Sequence, residues 1–599
     1  MGKLRTIPAA VLGALVFFLG LSATLVPPAQ AQQTQDDPPN RVARISYLQG
    51  STSFEPAGTQ DWVTADLNRS MTTGDRLWAD NESRAELHVG STAFRVDQLT
   101  GVNFLQLDDK VIQLQLSEGT VLVRLRHLDD DQTVEIDTPN IAVTLLQQGE
   151  YRIDTNEDGN ESVVSAFGGR AQVTGAGSSW TVVADQQARF AGTDSLEYSL
   201  EDMPEADDFD QWCFSRDKRE DHVAAVQYAS PEVTGYEDLD EYGTWGVVPD
   251  YGAVWYPSGI AVGWAPYRFG SWAWVSPWGW TWVDTEPWGF APFHYGRWAF
   301  YGERWCWVPG PIEPHPFWAP AFVGFVGGGG FNISVGVGAG IGWFPLAPGE
   351  VFVPSYRVSR DYVNRINITN TRVTEVNITR VYDNYNSHTT VKNITYANQR
   401  VANGVTVVSR DTFVNARPVD RNLAKVSEAE LAKAPVSHIA EVAPNRASVV
   451  GESRAAAARP PAAVESRAVV VRHTPPSPGP SFNAKQGELA KNPGRPLTTE
   501  QTSKMLRGNP PTRTMPYTKP APDVKPQSQS DVERQNQTFH DWQQRQAAPR
   551  ETPQAPPAET QRPSGSRPAE SRPAQSRPAF QNNHMPRPSS GGGGNSSHH

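Results

Sequence analysis

Several groups of residues have the types and spacing to do chemistry. Asp154-Thr155-Asn156-Glu157-Asp158-Gly159 follows the first half of a calcium loop, in which alternating oxygen ligands precede a glycine turn. The twelfth position is Ser165 where a bidentate Glu is needed, so the segment reads better as a polar hairpin tip between Tyr151-Arg152-Ile153 and Val163-Val164. Asp284 and Glu286 flank an aromatic run, which fits two glycosidase carboxylates beside a sugar platform. Two residues apart on one strand they would share a face at roughly 7 Å, and solvated turn acids explain them equally well. His294 and His315 stand too isolated to form a metal site. No Walker A loop, G-x-S-x-G elbow, H-E-x-x-H or paired C-x-x-C occurs. The chain therefore reads as a non-enzyme, with no catalytic residue, cofactor or metal expected.

Two further sets bear on binding and redox state. Trp272, Trp274, Trp278, Trp280, Trp282 and Trp298 could present an aromatic surface that stacks on sugar rings, or could fill a core. Cys213 and Cys306 allow one intramolecular disulfide in an oxidising compartment; the other reading is two free thiols, because spacing alone does not bring two α-carbons within reach.

The elements that must position these residues read as all-β. Over residues 45–195, Val111-Ile112-Gln113-Leu114-Gln115-Leu116 alternates apolar and polar, and Gly119 predicts a hairpin into Val121-Leu122-Val123-Arg124-Leu125. Further period-two runs follow at Val134/Ile136, Ile141/Val143/Leu145 and Tyr151/Ile153. No stretch keeps a 3.6-residue period. Gly74-Asp75-Arg76-Leu77-Trp78, Ser83-Arg84-Ala85-Glu86-Leu87, Leu116-Ser117-Glu118-Gly119, Ile136-Asp137-Thr138-Pro139 and Gly149-Glu150-Tyr151-Arg152-Ile153 together resemble the FecR-like periplasmic domain. That resemblance implies a β-rich exported module for protein contact or sensing in a bacterial envelope. Signalling members carry an anti-sigma segment and a membrane span before this domain. Only a signal-like run precedes it here, so transmembrane signalling is not expected.

Residues 205–360 hold a repeat. Tyr242-Gly243-Thr244-Trp245, Phe269-Gly270-Ser271-Trp272 and Tyr295-Gly296-Arg297-Trp298 recur at spacings of 27 and 26 residues. Fourteen tryptophans lie between Trp245 and Trp343, enough aromatic mass to build a core of stacked short hairpins where Leu and Ile are scarce. The stretch resembles a Trp-rich domain of unknown function, DUF6600-like, that follows FecR-like domains in exported bacterial proteins; the resemblance carries no activity. Gly327 to Trp343 alternates Ile333, Val335, Val337, Ala339 and Ile341 with Gly or Ser, predicting a strand with one bare face open to close approach. Residues 361–420, with Asn367-Ile368-Thr369, Asn377-Ile378-Thr379 and Asn393-Ile394-Thr395, read as an Asn/Thr/Val-rich β extension.

Composition sets the outer limits. Of 599 residues, 50 are proline, and 26 of those follow Val419 beside a single tryptophan, so 421–599 reads as a disordered Pro/Ala/Arg-rich tail. That tail carries 24 Lys and Arg against 14 Asp and Glu, whereas the whole chain sums to -12. The acidic body is a poor partner for nucleic acid. At the N-terminus, Lys3 and Arg5, the apolar run Ile7 to Val26, and Ala29-Gln30-Ala31 predict a signal peptide over 1–31, followed by a linker at 32–44. The expected protein is exported, periplasmic or associated with the outer envelope, has no membrane span in the mature chain, and contacts envelope proteins or cell-wall glycan as a scaffold. The alternatives are a peptidoglycan binder with an aromatic platform and a FecR-like regulator.

Overall fold

The computed structural model describes Gly2 and residues 37–327, 333–335, 338–386, 394–451, 455–508 and 518–522. The signal-peptide segment from Lys3 to Ala31, Asn393 and the Arg-Pro units beginning at Arg562 lie outside the described residues. The described chain is predominantly β. No helix among the described residues is long and apolar enough to cross a membrane.

The first module runs from the strand Ala43–Gln49 to the strand Glu197–Glu201. Its strands form two mainly antiparallel sheets whose inward residues, among them Leu87, Phe94, Leu114, Leu116, Val121, Val123, Ile136 and Ile153, make one apolar core. The hairpin expected at Gly119 is instead one strand of 15 residues, Val111–Leu125. Its first half pairs with Thr100–Leu107 and Thr133–Asp137, its second half with Thr92–Val96 and Gly149–Thr155, so it passes from one sheet to the other. Gly119 sits at the crossing with φ +94°, and a Cβ there would stand 2.1 Å from Thr100 Oγ1. A glycine with positive φ marks a chain reversal in most sequences; here it marks the bend at which a strand changes sheets.

Each copy of the aromatic repeat opens a hairpin: Gly243–Val248 with Gly252–Pro257, Gly270–Val275 with Gly279–Asp284, and Arg297–Tyr301 with Arg304–Val308. They do not stack in series. The first and third join edge to edge through Trp255 and Trp307 into a four-stranded sheet, while the second stays a two-stranded ribbon. The aromatic rings meet between them in a core separate from that of the first module.

The glycine-rich strip is a hairpin, Ile333–Val335 with Gly338–Pro345, whose long strand also pairs with Val323–Val326 and Thr406–Ser409. Its bare positions are filled from within the hairpin, since a Cβ on Gly340 would lie 2.5 Å from Val335. The β extension expected over 361–420 is mostly helical, with helices at Arg360–Ile368 and Glu375–Asn386 and one short strand at Thr406–Ser409. Ser359 caps the first helix by accepting from the Tyr362 amide, and Tyr362, Val363 and Ile366 point into the aromatic core. Asn367 is buried and uses its amide four ways: it donates to the carbonyls of Phe352 and Val363 and accepts from Phe352 N and Arg297. These partners, the helical Val363 carbonyl, the Phe352 backbone and the distant Arg297, outweigh the strand preference of the Asn-Ile-Thr segment.

The disordered-tail reading of 421–599 is corrected for its first half. Residues 421–451 and 455–508 carry strands and helices that lie on the body, and neighbours Val449 and Val450 enter the aromatic core and the first-module core respectively. Val464, Val469, Val471, Phe482 and Leu489 are buried as well. Proline density predicts extended chain, whereas the described part carries helices such as Phe482–Lys491 and Thr499–Gly508 beside short strands. Burial of scattered Val, Phe and Leu side chains against an existing surface is what holds that chain in place.

Candidate functional site

The aromatic residues offered as a glycan platform are core. Trp272, Trp274, Trp278, Trp280, Trp282 and Trp298 range from 0 to 6% exposed. The polar ends of many rings in this core are tied inward: Trp298 donates to Pro292 O at 2.8 Å, Trp307 to Tyr295 O at 2.8 Å, Trp343 to Tyr267 O at 2.9 Å and Trp282 to Asp284 at 2.8 Å. A ring that is buried on both faces has no surface left to stack on a sugar.

Cys213 and Cys306 are both free and buried. Cys213 packs with Leu122 and Phe209, and Cys306 with Val248, Val254 and Ala299, in two distinct clusters, so the pairing considered from sequence is not made. Burial pushes Cys306 up to about 11 and Cys213 above the ordinary thiol range, so both stay protonated and inert.

Asp284 and Glu286 do not form an acid pair. Asp284 is buried, accepts from Trp282 Nε1 and the Glu286 amide, and is pushed well above the usual carboxylate range by burial. His294 is buried against Trp318, bonds Ala319 O at 2.8 Å and is lowered to about 4 by desolvation. His315 lies at the surface, 3.8 Å from Asp129. Asp154 to Gly159 forms the tip joining Gly149–Thr155 to Glu161–Gly168, with the Asp154 carboxylate held by Arg152 and Thr120.

Sequence reading missed a dense charged cluster. The helix α1 (Asp208–Glu220) starts at a capping box between Asp207 and Asp210 and lies on the outer face of one sheet of the first module. Arg95 reaches Glu86 at 2.7 Å, Asp217 at 2.9 Å and Glu220 at 3.1 Å, and Arg216 clamps both oxygens of Glu86 at 2.6 Å. His88 contacts Glu237 at 2.6 Å and Glu86 at 3.2 Å, while Arg44 pairs with Glu237 and Asp238. Burial alone would strip the His88 proton, but Glu237 and Glu86 outweigh it and hold the imidazolium up to about 10. Glu237, which burial would raise, is in turn held down to about 2 by His88 and Arg44.

Glu86, His88 and Glu220 also have metal-ligand spacing, all within 4.8 Å. The donor set argues against a cation. A metal needs neutral imidazole and free carboxylate lone pairs, whereas His88 is held protonated and Glu86 is clamped by two guanidinium groups. No local signal separates this cluster from an exposed face: Glu86, His88 and Arg95 occupy the outward positions of strands whose inward residues are apolar, the pattern that a solvated strand face also shows.

A cleft of about 850 Å³ lies between the first module, the second repeat hairpin and residues 477–485. Gly74, Asp75 and Arg76 line it. Asp75 builds the wall: it accepts from the amides of Ala57 at 2.6 Å and Thr72 at 2.7 Å, and burial pushes it up to about 6. Arg69 lies over the Phe54 ring, Arg76 pairs with Glu55 at 3.3 Å, and Lys485 at the opposite wall is lowered to about 8 by desolvation. Phe482 closes the floor by donating its amide to Gly58 O at 3.0 Å.

Residues 236–350 match the model of a family of unknown function, DUF6600, which covers the aromatic hairpins. No curated protein matches the chain. Among solved structures, two crystal structures of a candidate anti-sigma factor from Parabacteroides distasonis ATCC 8503, at 1.65 and 2.50 Å resolution, are similar at 11% and 12% identity with TM-scores of 0.19. Each match spans 21% of this chain and 59% of that one.

Proposed function

We propose that this protein is a non-enzymatic contact module of a bacterial envelope, exported and cleaved after Ala31, which holds partners on a rigid two-module scaffold. The observation that carries the reading is where its charges go. Arg44, His88, Arg95 and Arg126 pair with acids of α1 and of residues 237–238, and Arg216 of α1 pairs back with Glu86, so together they weld the first module to the chain that leads into the aromatic hairpins. Such buried networks impose one geometry and leave few groups poised for proton transfer. The mixed-charge cleft at the junction, lined by Arg69, Arg76, Arg446 and Lys485 facing Glu55 and Asp61, is the natural contact surface.

Two measurements test the reading. Mass spectrometry of the chain from fractionated cells should find a mature N-terminus at Gln32 in the envelope fraction; an uncleaved cytosolic chain would overturn export. A photo-crosslinker placed at the exposed cleft positions Gln60 or Asn483 should trap a second envelope protein, with the same probe at the exposed Val262 as control. Equal yields from all three positions would remove the cleft from the proposal.

A further inference from the structure

The outer face of the second sheet of the first module is polar by pattern and buried in fact. Gln113 and Gln115 on Val111–Leu125, and Glu135 and Asp137 on Thr133–Asp137, alternate with core residues Leu114, Leu116, Val134 and Ile136, so they point away from the core. Each is nevertheless at most 1% exposed, because residues 467–473 run across them. The covering segment touches neither main core. Its Val469 and Val471 make a small cluster of their own with Leu105.

The way this strap is held is that of a bound peptide. Gln113 donates to His473 O at 2.8 Å and Gln115 to Arg467 O at 3.2 Å. Thr138 O accepts from Val470 N at 2.9 Å, and Glu135 accepts from the amides of Arg472 at 2.9 Å and His473 at 3.1 Å. All these bonds go to the strap's main chain, which any extended segment offers. Side chains supply the selection. Arg467 donates to Ser117 O and Glu157 O and lies 3.7 Å from Glu118 at one end; Val469 and Val471 sit on Leu105 in the middle; His473 meets Glu135 at 2.6 Å at the other end. The strap also leaves the fully buried Gln113 Oε1 without a partner among the described residues. The groove therefore has polar capacity that its present occupant does not use.

We infer that this groove is a peptide-docking site for an extended partner segment of basic, β-branched, basic pattern, occupied in cis by Arg467-Ala468-Val469-Val470-Val471-Arg472-His473. The acidic ends and apolar middle of the groove select that chemistry, and the strap competes with it. An occupied groove lowers apparent affinity by the fraction of time it is open, so displacing the strap raises binding without any new contact. This rests on the protein-contact reading above. The assay below uses purified full-length chain, so its failure leaves export standing, and mislocalisation of the chain would leave the groove standing.

The test is fluorescence anisotropy of a labelled peptide with the sequence of residues 467–473. Val469→Asp/Val471→Asp, and separately Arg467→Ala/His473→Ala, should release the strap, read as new tryptic cleavage in 467–473 with the thermal transition of the body retained. Released variants should bind the peptide at least about tenfold more tightly than the wild type. Adding Gln113→Ala/Glu135→Ala to a released variant should abolish that binding. Released chain that fails to bind peptide, binds it no better than the wild type, still binds it after the groove substitutions, or only exchanges straps into dimers would overturn the inference. So would a strap that stays protected in both variants.

Discussion

At the scale of the residue, the charged cluster under α1 makes the sharpest forecasts. Glu86 is buried and touched by Arg95, Arg216 and His88. Removing its charge with Glu86→Gln leaves cations with too few acids in a desolvated site, and should cost about 3 to 5 kcal/mol by chemical denaturation. His88 sets the pH dependence. Its folded pKa of about 10 lies above the ordinary imidazole value of 6.5, so the folded state binds the extra proton. The stability it contributes is fully present below about 6.5 and is lost as pH rises through about 10. Urea denaturation across that window should show the wild type losing stability more steeply than His88→Gln; parallel curves would mean that the imidazolium is not the group responsible. In the aromatic core, Trp272 and Trp298 occupy equivalent repeat positions and are each 1% exposed. Alanine at either should lower stability by about 3 to 5 kcal/mol, and normal melting with lost retention on peptidoglycan would restore the platform reading.

At the scale of the element, the decisive position is Gly119. The two-sheet module depends on Val111–Leu125 crossing between sheets, and the crossing needs a left-handed residue with no Cβ beside Thr100. Gly119→Ala should therefore destabilise by more than about 1 kcal/mol, from backbone strain before any steric conflict is added. Thermal denaturation checks it, and an unchanged transition would mean that the bend tolerates side chains. The same residue shows how far local reading goes. Gly119 announces a change of direction and the alternation on either side announces strands, both correctly; whether the chain reverses or crosses to a second sheet depends on strands at residues 92–107 and 149–155. The segment 360–386 fails for a related reason. Its Asn, Thr and Val favour strand, yet Tyr362, Val363 and Ile366 follow a helical spacing that only the aromatic core exploits.

At the scale of the whole molecule, the C-terminal chain decides how the modules sit. The helix Arg446–Val450 places one valine in each core, and residues 467–482 cross both the sheet face and the cleft. Limited proteolysis of the native chain should therefore leave residues 446–451 and 455–491 protected together with the body. Cleavage there as fast as in a free peptide would contradict the fold described.

The β character of residues 43–201 and the hairpin units of the aromatic repeat were legible in the sequence, because a period of two and a fixed repeat are local signals that need no distant partner. The charge cluster, the fate of the tryptophans and the two cysteines, and the packing of residues 421–508 were not. A side chain's burial is decided by what covers it, and for Glu86, Gln113, Glu135 and Cys213 the covering chain lies roughly 100 to 350 residues away or on a different element. Period two told which face of each strand was polar; only the tertiary structure decided that the polar faces would be covered, by α1 on one side and by the strap on the other.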